Sequence, residues 1–366
     1  MDPVHIPLRC GGAYRPALFL EVLPLPIPGG CRTTGMGILP HTDPEEAFRL
    51  TLSVDIPFWP QLPHVSFYED MYAQASAHFP GIELDPERAR LSFSSERFYA
   101  ELGDYAAIME EESPFRLAPP YSTVYREFLA RDLTTYAAVH GQCIGPVSFG
   151  LKICDEEKKP LIYRDDAREI LFDFMARKVN VQFRELREAH PDAFVWMDEP
   201  GLEMLFASYT GYPSEQAVAD YRAFLDRLEG PRGVHLCGNP DWSFLLRDLS
   251  LDVLSADTHG NGYILTRYSR EIRDFLERGG IISWGITPTL TEELDPETED
   301  SLLTRLEGFW EHLSAQGIDR ELILDRAWLA PAKCCLVNLD GGATVERSYA
   351  LLRRLSHRLR ERHALE

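Results

Sequence analysis

Short apolar runs that alternate with long helical patterns constrain the fold of this chain more than any other feature. Eight runs are candidate strands: Thr33–Leu39, Leu52–Phe58, Gln142–Phe149, Ala193–Met197, Gly233–Cys237, Asp252–Ala256, Ile281–Ile286 and Ala327–Ala330. Helical spacing of apolar residues marks five intervening stretches: Ala167–Ala189, Ser214–Leu228, Thr266–Arg278, Glu299–Ala315 and Thr344–Arg362. Repeated strand–helix alternation is typical of a (β/α)8 TIM barrel. We therefore predict an α/β fold in which residues 1–366 form one barrel domain.

Two features test this prediction against other arrangements. A doubly wound open sheet would need a glycine-rich phosphate loop after the first strand, but Gly35-Met-Gly37 lacks the third glycine and the following helix start. The stretch Pro60–Tyr121 breaks the alternation, and it predicts a helix near Tyr68–His78 and a hairpin around Ala89–Ala106. We interpret residues 60–121 as an insertion between strands 2 and 3 at the barrel mouth, and not as a separate domain.

The charge of the chain excludes some classes of partner. Its 37 basic and 58 acidic residues give a net charge of −21, whereas nucleic acid and anionic membranes attract basic surfaces. No apolar run approaches the ~20 residues that span a bilayer, and the first residues show no export signal. The seven cysteines are scattered and predict no disulfide framework. We expect a cytoplasmic enzyme with no nucleic-acid or membrane partner.

The most informative chemical feature is a histidine two residues before a cysteine, in the run Gly233-Val-His-Leu-Cys-Gly-Asn239. Side chains at i and i+2 of a strand point to the same side, so His235 and Cys237 would emerge together at a strand end. Imidazole and thiolate are ligands that suit Zn²⁺. The pair Cys334-Cys335 follows the last apolar run and could supply a third ligand. Catalytic zinc takes three protein ligands and keeps one position open.

Ionisable residues follow other candidate strands. Asp198-Glu199-Pro200 follows the fourth strand, and Asp257-Thr-His259 follows the sixth. In a TIM barrel, functional groups gather at the carboxyl ends of the strands, so these residues should share one rim with His235. Each also has a structural interpretation, because Asp-Glu-Pro and Asp257 can cap helices and His259 can be an exposed loop residue.

Several of these runs resemble a known family. They are Gly35-Met-Gly-Ile-Leu-Pro-His-Thr42, Gly145-Pro146-Val-Ser, Val195-Trp-Met-Asp-Glu-Pro200, Gly233-Val-His-Leu-Cys-Gly-Asn239 and Asp252-Val-Leu-Ser-Ala-Asp257. Together they resemble the catalytic half of cobalamin-independent methionine synthase, within the uroporphyrinogen decarboxylase and methionine synthase-like superfamily. The His-x-Cys-Gly-Asn run is also similar to corrinoid-dependent methyltransferases. The resemblance extends from about residue 31 to about residue 340.

The resemblance implies a TIM barrel with a zinc ion that activates a thiol. His235, Cys237 and one cysteine of the late pair would be metal ligands, and the match of Cys-Gly-Leu to Cys-Cys-Leu favours Cys334 over Cys335. Asp257 stands where methionine synthases have a ligand glutamate.

The resemblance also implies a substrate site. Asp198 stands where the family contacts the amino group of homocysteine, and we assign it as the catalytic residue. Gly37 and Glu199 would join it in binding the substrate. The implied reaction is methyl transfer to a small-molecule thiol, most simply homocysteine.

The methyl donor stays open between a methyl-corrinoid, on a possible corrinoid protein, and methyl-folate. The family has a folate-stacking tryptophan in the stretch that here contains Lys152, and a histidine before Ser-Pro where this chain has Thr287-Pro288. The sequence also allows two other functions. One is a uroporphyrinogen decarboxylase-like enzyme that needs no metal, and the other is a zinc- or corrinoid-binding protein without turnover.

Overall fold

A parallel seven-stranded sheet organises the protein. The computed structural model describes residues 28–205 and 212–365, so the N-terminal residues on which we predicted no export signal lie outside the described residues. The sheet has the order β1-β9-β8-β7-β6-β5-β4. Its strands are β1 (Arg32–Thr33), β4 (Val139–Ile144), β5 (Ala193–Asp198), β6 (Arg232–Leu236), β7 (Val253–Asp257), β8 (Ile281–Thr287) and β9 (Ala327–Pro331). A separate antiparallel hairpin pairs β2 (Ile82–Asp85) with β3 (Arg90–Phe93).

Thirteen α-helices are found in the described residues. They are α1 (Pro44–Thr51), α2 (Met71–Ser76), α3 (Ser95–Ile108), α4 (Thr123–Leu129), α5 (Pro146–Lys152), α6 (Asp165–Ala189), α7 (Ser214–Asp226), α8 (Thr258–Leu265), α9 (Ser269–Glu277), α10 (Thr291–Leu294), α11 (Glu299–Ala315), α12 (Arg320–Asp325) and α13 (Ala343–His363). Capping side chains position several helix starts; Thr298, for example, forms a capping box at α11. Each helix in these ranges is too short or too polar to cross a membrane.

The two edges of the sheet approach each other through an irregular segment, residues 56–61. The Ile56 N–H donates to the Thr33 carbonyl oxygen (3.0 Å), and the His140 N–H donates to that of Pro57 (2.9 Å). Single parallel bridges join Phe58 to His140 and Ile38 to Gln61. The curled sheet is therefore consistent with a TIM-like barrel that is not fully closed. Seven regular strands form the sheet, and the irregular segment takes the place of an eighth.

The prediction of a second strand over Leu52–Phe58 was wrong. Leu52 caps the end of α1, and only isolated bridges form beyond it. Pro57 and Pro60 have no N–H group and cannot continue a hydrogen-bonded ladder. The predicted first strand, Thr33–Leu39, is likewise reduced to Thr33, the second residue of β1, and one isolated bridge at Ile38.

Other element boundaries also differ from the sequence prediction. The predicted strand Gln142–Phe149 ends at Ile144, because Pro146 occupies the first position of α5. The hairpin predicted around Ala89–Ala106 lies earlier, at β2 and β3, and the Ser94 side chain caps α3 after it. The later strands β5 to β9 match their predicted runs to within a residue or two. The insertion of residues 60–121 stays a prediction.

The interior of the sheet contains aromatic rings around one histidine. His140, on β4, stacks on Phe194 with ring centroids 4.8 Å apart and lies 4.3 Å from the Trp196 ring. Its Nε2 is 3.0 Å from the Thr34 hydroxyl. Burial lowers the pKa of His140 to about 3, so the imidazole is neutral at physiological pH.

Candidate metal and thiol site

His235 and Cys237 lie together at the carboxyl end of β6, as the sequence predicts. The His235 Nε2 is 3.2 Å from the Cys237 sulfur, and its Nδ1 is 2.9 Å from the Ser255 hydroxyl on β7. Burial lowers the pKa of His235 to about 3. The imidazole is therefore neutral, which is the form that binds metals, and Ser255 orients it.

Cys334, in the loop after β9, contacts Cys237. A hydrogen bond between the two thiols raises the pKa of Cys237 and lowers that of Cys334. Of the two thiols, Cys334 therefore loses its proton more readily than Cys237 does. The neighbouring Cys335 is 5% exposed and packs into the main hydrophobic core. The contact with Cys237 distinguishes Cys334 from Cys335, and the choice of Cys334 as a metal ligand stays a prediction.

The chemistry of the donors suits zinc, but they do not form a complete metal site. Asp257 accepts a hydrogen bond from the Gly260 N–H (2.9 Å) and caps α8, and burial raises its pKa. Across residues 28–205 and 212–365, no group of three or more His, Cys, Asp or Glu side chains is arranged to hold a metal ion. The zinc ion and the four predicted ligands therefore stay predictions.

Asp198, the last residue of β5, presents an unpaired carboxylate oxygen. Only 6% of the residue is exposed, and its Oδ1 is buried without a hydrogen-bond partner. Burial, and then the charges of Cys334 and Glu199, raise its pKa well above the usual value. A buried oxygen without a donor is unfavourable, so this position suits a ligand that brings an N–H group.

Glu199 is turned away from this oxygen and caps α5. It accepts hydrogen bonds from the Val147 N–H (3.1 Å), the Ser148 N–H (2.8 Å) and the Ser148 hydroxyl (2.6 Å). Burial raises its pKa to about 7. A Cβ on Gly145 would lie 2.0 Å from the Glu199 Oε1, which explains the glycine there. The predicted role of Glu199 in binding substrate stays a prediction, and its observed contacts are those of a cap.

Gly37 also has a structural partner. Its N–H donates to the Gln142 Oε1 (2.6 Å), and its carbonyl oxygen accepts from the Gln61 N–H (2.6 Å). A Cβ at this position would lie 2.5 Å from the Trp59 carbonyl oxygen. Both backbone groups are therefore committed, and the predicted substrate contact of Gly37 is untested.

Sequence reasoning missed two neighbours of the thiol pair. One is Tyr72, on α2. Burial is the main cause that raises the pKa of its hydroxyl, and the charges of Glu199, Asp198, Asp70 and Cys334 raise it further. Lys333 is the other, and its ammonium lies 3.0 Å from a Glu293 oxygen. Burial lowers the pKa of Lys333, but the hydrogen bond with Glu293 raises it, and the net shift is upward. The position of Lys333 beside Cys334 in the sequence was a usable signal, whereas nothing local marks Tyr72.

His259, predicted at the rim, pairs with a carboxylate further from the thiols. Its Nε2 is 2.8 Å from the Glu297 Oε1, and Arg305 contacts the same oxygen at 2.9 Å. His259 thus belongs to a charged cluster that links α8 to the start of α11, beside Asp257.

Comparison with solved structures relates the fold to two known proteins. The chain is similar to a B12-independent methionine synthase from Shewanella sp. W3-18-1, with a TM-score of 0.56 and 14% identity over 93% of this chain and 99% of that one. It is also similar to a methyltransferase from Methanosarcina mazei, with a TM-score of 0.51 and 15% identity over 90% of this chain and 94% of that one. No protein-family model matches the sequence, and no similar sequence is found among curated proteins. At this identity the likeness establishes the fold alone, that of a TIM-barrel-like α/β protein. The histidine and the two thiols at the carboxyl edge of the sheet are features of this chain's own structure.

Proposed function

We propose that this protein is a zinc-dependent methyltransferase that methylates a thiol, most simply homocysteine. The observation that carries the proposal is the contact of His235, Cys237 and Cys334 beside the unpaired carboxylate of Asp198. The printed names of the two structural neighbours, a methionine synthase and a methyltransferase, agree with this activity.

The three donors would hold the metal, with Asp257 or the acceptor thiol in the fourth position. His235 is neutral, the form that binds metals, and the Cys237 and Cys334 thiols would lose their protons on binding the metal. When bound, zinc would supply Lewis acidity that keeps the acceptor thiol deprotonated near pH 7. Movement of Asp257 into this set would remove the cap of α8, so water or substrate suits the fourth position better.

Asp198 would orient the acceptor. Its free Oδ1 can accept a hydrogen bond from an ammonium group, and that charge would offset the unfavourable burial of the carboxylate. A thiol that carries an amino group on the same short carbon chain could bind the metal through its sulfur and Asp198 through its ammonium, and homocysteine is such a compound.

We favour a methyl-corrinoid over methyl-folate as the donor. A folate nitrogen needs a positioned acid to protonate it as it leaves. The hydroxyl of Thr287, at the end of β8, is buried and unpartnered, and a threonine is too weak an acid for this purpose. In transfer from a corrinoid, the carbon–cobalt bond breaks with its electron pair on cobalt and the carbon–sulfur bond forms. No proton needs to be delivered to the leaving group.

Metal analysis and a methyl-transfer assay test the proposal. We expect about one zinc per chain in protein purified without chelator, held by His235, Cys237 and Cys334. Chelation should abolish methylation of homocysteine, and zinc should restore it. Cys237→Ser should lose both metal and activity, while Cys154→Ser, a thiol outside the site, should keep both.

Each alternative function predicts a different result. Turnover of an anionic tetrapyrrole without metal would replace the proposal with a decarboxylase-like activity. Stoichiometric zinc without methylation of any thiol, by methylcobalamin or methyl-folate, would leave a zinc-binding protein without turnover.

A further inference from the structure

A buried chain of three glutamine side chains joins β4 to the segment around α2. The Gln142 Oε1 accepts hydrogen bonds from the Gly37 N–H (2.6 Å) and from the Trp196 Nε1–H (3.3 Å). The Gln142 Nε2 donates to the Gln61 Oε1 (2.7 Å), and the Gln61 Nε2 donates to the Gln74 Oε1 (2.8 Å). All three glutamines are at most 3% exposed. Gln142, Gln61 and Gln74 are named the glutamine relay below.

The glutamine relay ends on a buried carboxylate. The Gln74 Nε2 donates to the Glu69 Oε2 (3.2 Å) and to the Tyr121 carbonyl oxygen (3.0 Å). The other carboxylate oxygen of Glu69, Oε1, accepts from the Val124 N–H (3.1 Å) in the first turn of α4. Glu69 itself is 1% exposed. Both of its oxygens are therefore bound to N–H groups in the protein interior.

The direction of the hydrogen bonds is fixed at both ends of the relay. The Gly37 and Trp196 N–H groups can only donate, so Gln142 must turn its oxygen toward them. Each amide then presents its NH2 group to the next oxygen, and the last NH2 group faces two acceptors. Rotation of one amide by half a turn would bring two donors or two acceptors into contact. Hydrogen bonds in such a chain also polarise one another, so a change at Glu69 affects the whole relay.

Glu69 can change its charge near neutral pH. Burial raises the pKa of Glu69 to about 7, although hydrogen bonds from the Val124 and Thr123 N–H groups oppose the shift. The charge of Glu127, on α4, raises this pKa further. An ionised carboxylate accepts a stronger hydrogen bond from the Gln74 NH2 group than a neutral carboxyl group does. Protonation would therefore weaken the end of the relay.

Two other charged groups adjoin the relay. Asp70, next to Glu69 in the chain, caps α2 by accepting from the Tyr72 N–H (2.8 Å). Lys178, on α6, donates to the Gln74 carbonyl oxygen (3.1 Å), and burial lowers its pKa to about 8. Lys178 thus titrates in a range that overlaps that of Glu69, and an experiment on the relay has to separate the two groups.

We propose that Glu69 and the glutamine relay form a conformational device that transmits the protonation of Glu69 to the backbone at Gly37. Gly37 follows β1 and lies at the carboxyl edge of the sheet. The ionised carboxylate holds the relay in place and keeps the Gly37 N–H close to Gln142, whereas the neutral carboxyl group lets this hydrogen bond lengthen. Such coupling is reciprocal, so a ligand that moves Gly37 would also change the proton affinity of Glu69. No step involves the proposed zinc or methyl transfer.

The Gly37 amide can be observed alone, because Met36-Gly37 is the only Met-Gly pair in the chain. Protein with heavy-isotope labels on methionine carbonyl carbon and glycine nitrogen gives one amide signal that is coupled to a labelled carbonyl. This signal would be followed in the full chain from about pH 5 to about pH 9, a range that spans both pKa values. Wild type would be compared with Glu69→Gln, Gln74→Met and Glu127→Gln. Glu127 is exposed and outside the relay, so Glu127→Gln is the matched control.

We expect the wild-type Gly37 signal to titrate with a midpoint near pH 7. The proton resonance should move upfield as the pH falls, because a longer hydrogen bond deshields the amide proton less. Glu69→Gln removes the ionisable group and Gln74→Met interrupts the relay, so both should abolish the titration. Glu127→Gln should retain it with a lower midpoint, since a negative charge near Glu69 is lost.

Three results would overturn the inference. A wild-type Gly37 signal that does not titrate would make the relay a static network. A titration that persists in Glu69→Gln would belong to Lys178 or to another group. A titration that persists in Gln74→Met would pass through space and not through the relay. Gln61→Met interrupts the relay at a second place and repeats this last test if Gln74→Met does not unfold in one cooperative transition.

Discussion

The replacement Asp198→Asn should stabilise the fold and weaken the acceptor complex. Asp198 is 6% exposed, and its Oδ1 has no hydrogen-bond donor. An unsatisfied buried polar group typically costs about 1–3 kcal/mol, and more when it is charged; asparagine leaves an unpaired oxygen at this place, so only the additional cost of the buried charge is removed. The asparagine keeps the shape of the side chain and removes the charge. In metal-free protein at neutral pH, we expect its free energy of unfolding to rise by about 1–3 kcal/mol.

The pH dependence of this gain has a defined sign. Burial raises the pKa of Asp198 in the folded protein, so the folded state binds the proton more tightly than the unfolded chain does. Asp198 therefore does not reduce the stability of the wild type below the usual aspartate pKa of about 3.9. Its ionisation lowers the free energy of unfolding as the pH rises from there toward the folded pKa. Asparagine does not titrate. The difference between variant and wild type should be small at about pH 4 and largest at neutral pH.

The same variant should bind amino-acid thiols less well. Loss of a charged hydrogen bond, about 1.5–3 kcal/mol, raises the KM for homocysteine roughly 10- to 100-fold. The KM for 4-sulfanylbutanoate, which has no ammonium, should hardly change. Chemical denaturation at two pH values and steady-state methylation measure the two effects. A destabilised variant, or equal KM changes for both thiols, would refute the reasoning and make Asp198 a structural residue.

Four further predictions concern the site and its support. Cys237→Ser should abolish thiol alkylation but keep one cooperative thermal unfolding transition; loss of that transition would make the site structural. Gly145→Ala should destabilise by about 1–3 kcal/mol, because its Cβ would lie 2.0 Å from the Glu199 Oε1, whereas Gly103→Ala, with open space around its Cβ, should not. The pKa of His140 is lowered to about 3, so the neutral imidazole contributes stability that is fully present above about pH 6.5 and is lost as the pH falls toward 3. Between these pH values, the free energy of unfolding of His140→Gln should depend less on pH than that of the wild type. An equal pH dependence in both proteins would contradict the lowered pKa of His140. Methylcobalamin or a methylated corrinoid protein should exceed methyl-folate as donor in direct rate comparison, and turnover with folate alone would reverse that choice.

The sequence by itself determined the parallel α/β class and the later strands. The runs that became β5 to β9 were found because each is short, apolar and followed by a helical pattern. The same periodicity identified His235 and Cys237, since i and i+2 spacing places both side chains on one side of a strand. These features depend on neighbours in the chain, so local patterns are sufficient to predict them.

Only the tertiary structure decided the remaining parts of the site. The contact of Cys334 with Cys237, the free oxygen of Asp198 and the approach of Tyr72 join residues far apart in the chain. The irregular segment at residues 56–61 similarly obtains its hydrogen bonds from both sheet edges. No local pattern encodes such contacts, because they depend on how the sheet curls and where burial removes water from a carboxylate or thiol.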